Sequence, residues 1–135
     1  MKKFLLALPR WSCTIVALLL LLYLTLVPKP LPDTGLRLFP HADKVIHAIM
    51  FGGIYFCLVL DFLRLRARFH QSLMLPLSLN LTFAFVAIAL GGAIEILQES
   101  LAMGRSCDIL DFYADVAGVI VFFTFSRNLV RDMLR

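Results

Sequence analysis

The stretch Ser72–Ile94, SLMLPLSLNLTFAFVAIALGGAI, runs for twenty-three residues without one charged side chain. A bilayer core about 30 Å thick takes about 20 apolar residues as helix. A segment immersed in hydrocarbon must also satisfy its own backbone, which a helix does internally. This stretch alone therefore points to an all-α membrane protein. Working outward, Trp11–Val27 carries no charge over seventeen residues. Cysteine and tyrosine aside, Val45–Leu60 has His47 as its one ionisable side chain, and Ile109–Ser126 is apolar except for Asp111 and Asp115. The expected architecture is a four-transmembrane-helix bundle, with helices over about 11–27, 43–63, 73–98 and 108–127, in one membrane domain covering residues 1–135. Composition agrees: 61% of residues are hydrophobic and 16% charged, against about 25% charged in an average soluble domain.

Lys2 and Lys3 before an apolar run resemble the opening of a signal peptide. The run is followed by Val27-Pro28-Lys29-Pro30 rather than a small-x-small cleavage site, so it reads as an uncleaved anchor. Residues 28–42, with Pro28, Pro30, Pro32 and Pro40, read as a loop. Arg64–His70 reads as a basic connection between the second and third spans.

Charge asymmetry gives the expected direction. One side collects nine of the thirteen bases (Lys2, Lys3, Arg10, Arg64, Arg66, Arg68, Arg127, Arg131 and Arg135) against two acids, Asp61 and Asp132. The other side holds four bases against seven acids. Basic loops stay in the cytoplasm, so both termini are expected inside, with residues 28–44 and 99–108 facing outward. The net +4 is modest and concentrated at this interface; it does not call for a nucleic-acid partner. Cys107 lies alone on the outer side, away from Cys13 and Cys57, which excludes a disulfide scaffold.

Polar residues gather near the outer ends of three spans. Asp43 and His47 are one helical turn apart, as are Glu95 and Glu99, with Gln98 between them. Asp108, Asp111 and Asp115 form a stripe leading inward, and Arg105 sits in the preceding loop. Charges in a membrane are expensive unless they face one another or water. One shared polar pocket at the outer end is the expected arrangement. The small residues Ala48-x-x-x-Gly52 and Ala114-x-x-x-Gly118 suit close helix approach.

Asp43-Lys44-Val45-Ile46-His47, Gly91-Gly92-Ala93-Ile94-Glu95-Ile96-Leu97-Gln98 and Arg105-x-x-Asp108-x-x-Asp111, with Gly118 behind, resemble the VanZ-like family of small bacterial membrane proteins. The resemblance covers about residues 40–122. The family pattern pairs D-K-x-x-H with E-x-x-Q, R-x-x-D-x-x-D and an asparagine before a glycine in the last helix. Asp115 stands here in that asparagine's place. The resemblance implies a multi-pass protein of the bacterial cytoplasmic membrane, a role related to glycopeptide resistance, and action on a phospholipid or polyprenyl-phosphate head group in the outer leaflet.

For that chemistry the candidate catalytic residues are His47, Glu95 and Asp111. His47 titrates near neutrality, with Asp43 one turn away to orient it. Glu95, in the most apolar setting, suits proton transfer. Candidate substrate-binding residues are Asp43, Lys44, Gln98, Arg105, Asp108 and Asp115. A phosphate would be repelled by so many carboxylates. The compensation is either Arg105 as a bidentate clamp or a divalent cation such as Mg²⁺ on Asp108 and Asp111. Structural alternatives stand beside each role: a salt-bridged His47, an interhelical hydrogen bond from Glu95 and an Arg105–Asp108 pair. A lipid- or antibiotic-binding protein without turnover is the competing function. A small proton-coupled transporter fits less well, because the acids lie near one surface rather than at the midplane.

Overall fold

The computed structural model describes residues 2–27, 42–101 and 109–135, and every regular element among them is a helix. These are α1 (Lys2–Ala7), α2 (Ser12–Leu26), α3 (Ala42–Arg68), α4 (Leu77–Ser100) and α5 (Ile109–Leu134). The last three are long and apolar enough to cross a membrane, whereas α2 is an apolar helix of 15 residues. Large apolar side chains point away from the protein along these helices, among them Leu19 and Leu20 on α2, Leu81 and Phe85 on α4, and Ile120 and Val121 on α5. A girdle of this extent is foreign to a soluble monomer and suits contact with lipid. The chain has the build of a membrane protein.

The boundaries differ from the sequence expectation in instructive ways. The Arg64–His70 stretch is not a loop: α3 continues to Arg68. The guanidinium of Arg64 is buried against Asp61, and Arg68 donates to the carbonyls of Leu6 and Leu8, so these bases have partners that favour helix. The helix then closes with His70 at φ 51°, Gln71 N–H donating to Arg66 O at 2.9 Å and His70 N–H to Ala67 O at 3.2 Å, a left-handed C-terminal cap. Pro76 shortens the third span at its start, since it lacks an amide hydrogen and precedes the first turn of α4. The fourth span runs on to Leu134 rather than stopping near 127.

α3 is the axis of the molecule and packs against each of the other four helices. Its inward face is Phe51, Tyr55, Val59 and Leu63, all fully buried. Its closest neighbour is α5. A Cβ on Gly118 of α5 would overlap the backbone carbonyl of Ala48, and one on Gly52 would overlap the Phe122 ring. Two small-residue faces therefore meet backbone to backbone, as membrane helices do when glycine permits. Phe122 and Phe123 pack against this core, and Phe125 is exposed. Phe122 fills the space that Gly52 leaves.

Two polar networks sit far apart along α3. Toward its C-terminal end, Arg64 Nη1 donates to Asp61 Oδ1 at 2.5 Å and to Cys13 Sγ at 3.1 Å, while Nη2 donates to Leu8 O at 3.0 Å. Asp61 Oδ2 accepts from Thr14 N–H at 2.8 Å and from Thr14 Oγ1 at 2.9 Å. Thr14 lies in the first turn of α2, where amides lack partners within the helix. Asp61 thus caps α2 from another helix and places a negative charge at its positive end. The second network, near the N-terminal end of α3, is the candidate site.

Candidate functional site

Helix rise brings three ionisable residues to a common level. His47 is five residues inside the start of α3, Asp115 six inside the start of α5, and Glu95 five before the end of α4. At about 1.5 Å per residue each lies about 7–9 Å from its helix end. All three are buried: His47 is 8% exposed, Glu95 3% and Asp115 0%. Asp111, one turn nearer the end of α5, completes the group.

The distances define how the group is organised. His47 Nδ1 lies 3.0 Å from Asp115 Oδ1 and 3.8 Å from Glu95 Oε1. Its other nitrogen, Nε2, faces Asp111 Oδ2 at 4.0 Å. Asp111 Oδ1 accepts from Lys44 Nζ at 2.6 Å, and Lys44 also reaches Asp43 Oδ2 at 3.3 Å. Carboxylates therefore stand on both edges of one imidazole. The ring is further held by Phe51, one turn along α3, with centroids 6.2 Å apart.

The glycines make this possible. Gly91, one turn before Glu95, leaves a notch into which Asp115 projects; a Cβ there would come within 2.7 Å of Asp115 Oδ2. The Ala48–Gly118 contact lies beside the His47–Asp115 hydrogen bond, so the close approach of α3 and α5 sets its length.

The structure brings together His47, Glu95, Asp111 and Asp115, with Lys44 beside them. It gives two of the expected residues other partners. Asp43 does not orient His47; Asp115 of α5 does, and the exposed Asp43 carboxylate turns to Lys44. Gln98 is buried, and its Nε2 donates to Thr25 O at 2.8 Å, tying α4 to α2. Thr25 is among the last residues of α2, where helix carbonyls take outside donors. Gln98→Leu is expected to lower stability by about 1 kcal/mol, measured as thermal unfolding in detergent, with the His47 cluster intact. Arg105, Cys107 and Asp108, and the proline-rich stretch 28–41, lie outside the described residues.

Sequence reading missed the buried Tyr55–Asn80 hydrogen bond, 2.5 Å from Oη to Oδ1. The lone amide in the uncharged Ser72–Ile94 run was its available signal, because a buried polar side chain needs a partner.

Chemically, the cluster can move a proton between imidazole and carboxylate, and it can hold a cation. His47, Glu95 and Asp115 each offer a ligand atom, and these atoms lie within 4.8 Å of one another. No family model, curated protein or solved structure matches the chain.

Proposed function

We propose that the chain is a VanZ-like, four-span protein of the bacterial cytoplasmic membrane that acts on the phosphate linkage of a lipid head group in the outer leaflet. The observation that carries this reading is the meeting of buried His47, Glu95 and Asp115 with half-buried Asp111, at a shallow depth beneath one end of three helices. Shallow burial at one end suits a head group, which enters from the interface while its chains stay in lipid.

Two further features support the membrane arrangement. α2, about 22 Å long by helix rise, is joined to α3 through Thr14–Asp61 and to α4 through Thr25–Gln98. Bonds near both its ends suit a fourth span running beside the longer helices. Arg64 and Arg68 lie 17 and 21 residues beyond His47 on α3, about 25–30 Å away. The basic end is therefore opposite the acidic cluster, and the positive-inside rule turns the cluster outward.

In this reading Lys44 meets the phosphate and lets go of Asp111 as it does so. His47 takes up or returns the proton of the attacking or leaving oxygen, with Asp115 fixing its ring. Glu95 is the second proton-handling group. Positioned acid–base groups contribute about 10²–10⁴-fold each to rate. Cells overproducing the native chain are expected to show altered phospholipid or polyprenyl-phosphate head groups by mass spectrometry of extracted lipids. Glu95→Gln and His47→Ala, at equal membrane abundance, are expected to abolish the change. Lipids altered equally by native and variant chains would refute the assignment.

A further inference from the structure

The inner part of the cluster has the donor set of a transition-metal site. We propose that His47 Nδ1, Glu95 and Asp115 bind one divalent cation of the Mn²⁺, Fe²⁺ or Zn²⁺ class. The first argument is proton count. Nδ1 faces Asp115 at 3.0 Å and Glu95 at 3.8 Å. A nitrogen carries a single proton and cannot donate fully to both, whereas a dication can bind all three. Metal bonds of about 2.0–2.2 Å place neighbouring ligand atoms about 3.0–3.5 Å apart. The two spacings from Nδ1 bracket that range, and the third, between Glu95 and Asp115, lies within 4.8 Å.

The second argument is an oxygen that nothing serves. Asp115 is fully buried, and no hydrogen-bond partner among the described residues reaches its Oδ2, which lies in the Gly91 notch between α4 and α5. A buried carboxylate oxygen without a donor is costly, and a cation relieves that cost.

The third argument comes from the far side of the ring. Metal-binding histidines commonly present their other nitrogen to a carboxylate, which fixes the tautomer. Asp111 Oδ2 faces Nε2 at 4.0 Å, and Lys44 holds Asp111 at 2.6 Å. With an ion on Nδ1, the imidazole proton belongs on Nε2, where Asp111 accepts it.

The donor set also selects the ion. Mg²⁺ and Ca²⁺ take oxygen ligands and Mg²⁺ keeps much of its water, while an imidazole nitrogen favours the transition series. The cation class therefore moves away from Mg²⁺, and the ligands away from the Asp108–Asp111 pair, relative to the sequence expectation. A bound ion is detected without substrate, and an ion held here would make His47, Glu95 and Asp115 ligands in place of the proton-handling and positioning roles given above.

The test uses the full chain purified in detergent and stripped with EDTA. Co²⁺ is titrated as a visible probe, Mn²⁺ binding is followed by electron paramagnetic resonance, and bound metal is counted by elemental analysis. One ion per chain is expected, with Co²⁺ absorption bands and a higher Tm in Mn²⁺ or Zn²⁺ than in equal Mg²⁺. Asp115→Asn and His47→Gln should weaken Co²⁺ binding at least about 100-fold, and Asp111→Asn about 10–100-fold. Should Asp115→Asn fail to fold, Asp111→Asn and the preference of the native chain for Mn²⁺ over Mg²⁺ decide. Absence of stoichiometric Co²⁺, or an Asp115→Asn chain that binds it as tightly as the native one, would overturn the site. A chain that binds Co²⁺ yet leaves lipids unchanged removes the head-group reading alone. Lipid turnover by a chain that binds no Co²⁺ removes the metal site alone.

Discussion

Arg64→Met is expected to unfold the protein more readily by about 3–5 kcal/mol, the cost of stranding one member of a buried ion pair. Arg64 is 2% exposed and Asp61 4%, and the substitution leaves the buried Asp61 carboxylate without its cation. It also removes the donors to Cys13 Sγ and to the Leu8 carbonyl, so the α1–α2 segment loosens from α3. The double variant Asp61→Leu with Arg64→Met should recover part of the loss, because no buried charge remains. Recovery is incomplete because Thr14 N–H loses its acceptor. The comparison pair is Asp132 and Arg135 on α5, 3.6 Å apart with both side chains exposed; removing either is expected to change stability by less than about 1 kcal/mol. Reversible unfolding in mixed detergent micelles measures all four variants. An Arg64→Met chain as stable as the native one would show that the pair contributes nothing.

Gly118→Ala should also be destabilising, although only one methyl group is added. The new carbon would overlap the Ala48 carbonyl, and a backbone atom within α3 cannot rotate aside as a side chain can. Overpacking of this kind costs about 1–3 kcal/mol. It exceeds the gain of about 1 kcal/mol that alanine brings over glycine within a helix. Gly53→Ala is the matched control. Nothing lies within 4 Å of the corresponding position on Gly53, so the same chemical change should be neutral or slightly stabilising. The two variants should therefore move Tm in opposite directions, or one down and the other not at all. Separating α3 from α5 also stretches the His47–Asp115 contact, so Gly118→Ala should perturb the cluster without touching any of its side chains. Equal stability of the two alanine variants would mean that the backbone contact is not tight.

The parts that were legible from sequence share one physical reason. His47, Glu95, Asp111 and Asp115 interrupt apolar runs, and a charge inside such a run must be answered by another element. Their convergence follows from depth alone, which helix rise supplies. The partner assignments were not legible. Asp43 is a good partner for His47 by spacing along one helix, but Asp115 reaches the imidazole because Gly91 and Gly118 let α5 approach closely, and that approach is a property of three helices together. Asp61 and Arg64 were hidden for the opposite reason. Arg64 sits beside Arg66 and Arg68, so it reads as part of a basic connection, while Asp61 reads only as an acid of the same side, and nothing local distinguishes a buried arginine from an exposed one. Gln98 follows Glu95 by three residues and suggests the same destination, yet it turns to a carbonyl on α2.

Because Asp111 and Asp115 both belong to α5, while His47 and Glu95 arrive on α3 and α4, a ribosome making this chain delivers the polar centre in instalments. Until α5 has been synthesised, the imidazole and Glu95 must wait beside lipid or water without the carboxylates that will enclose them. Docking of α5, guided by the Gly118–Ala48 seat, is then the step at which a nascent chain acquires its chemistry. An intermediate halted before it would be a natural target for membrane proteases.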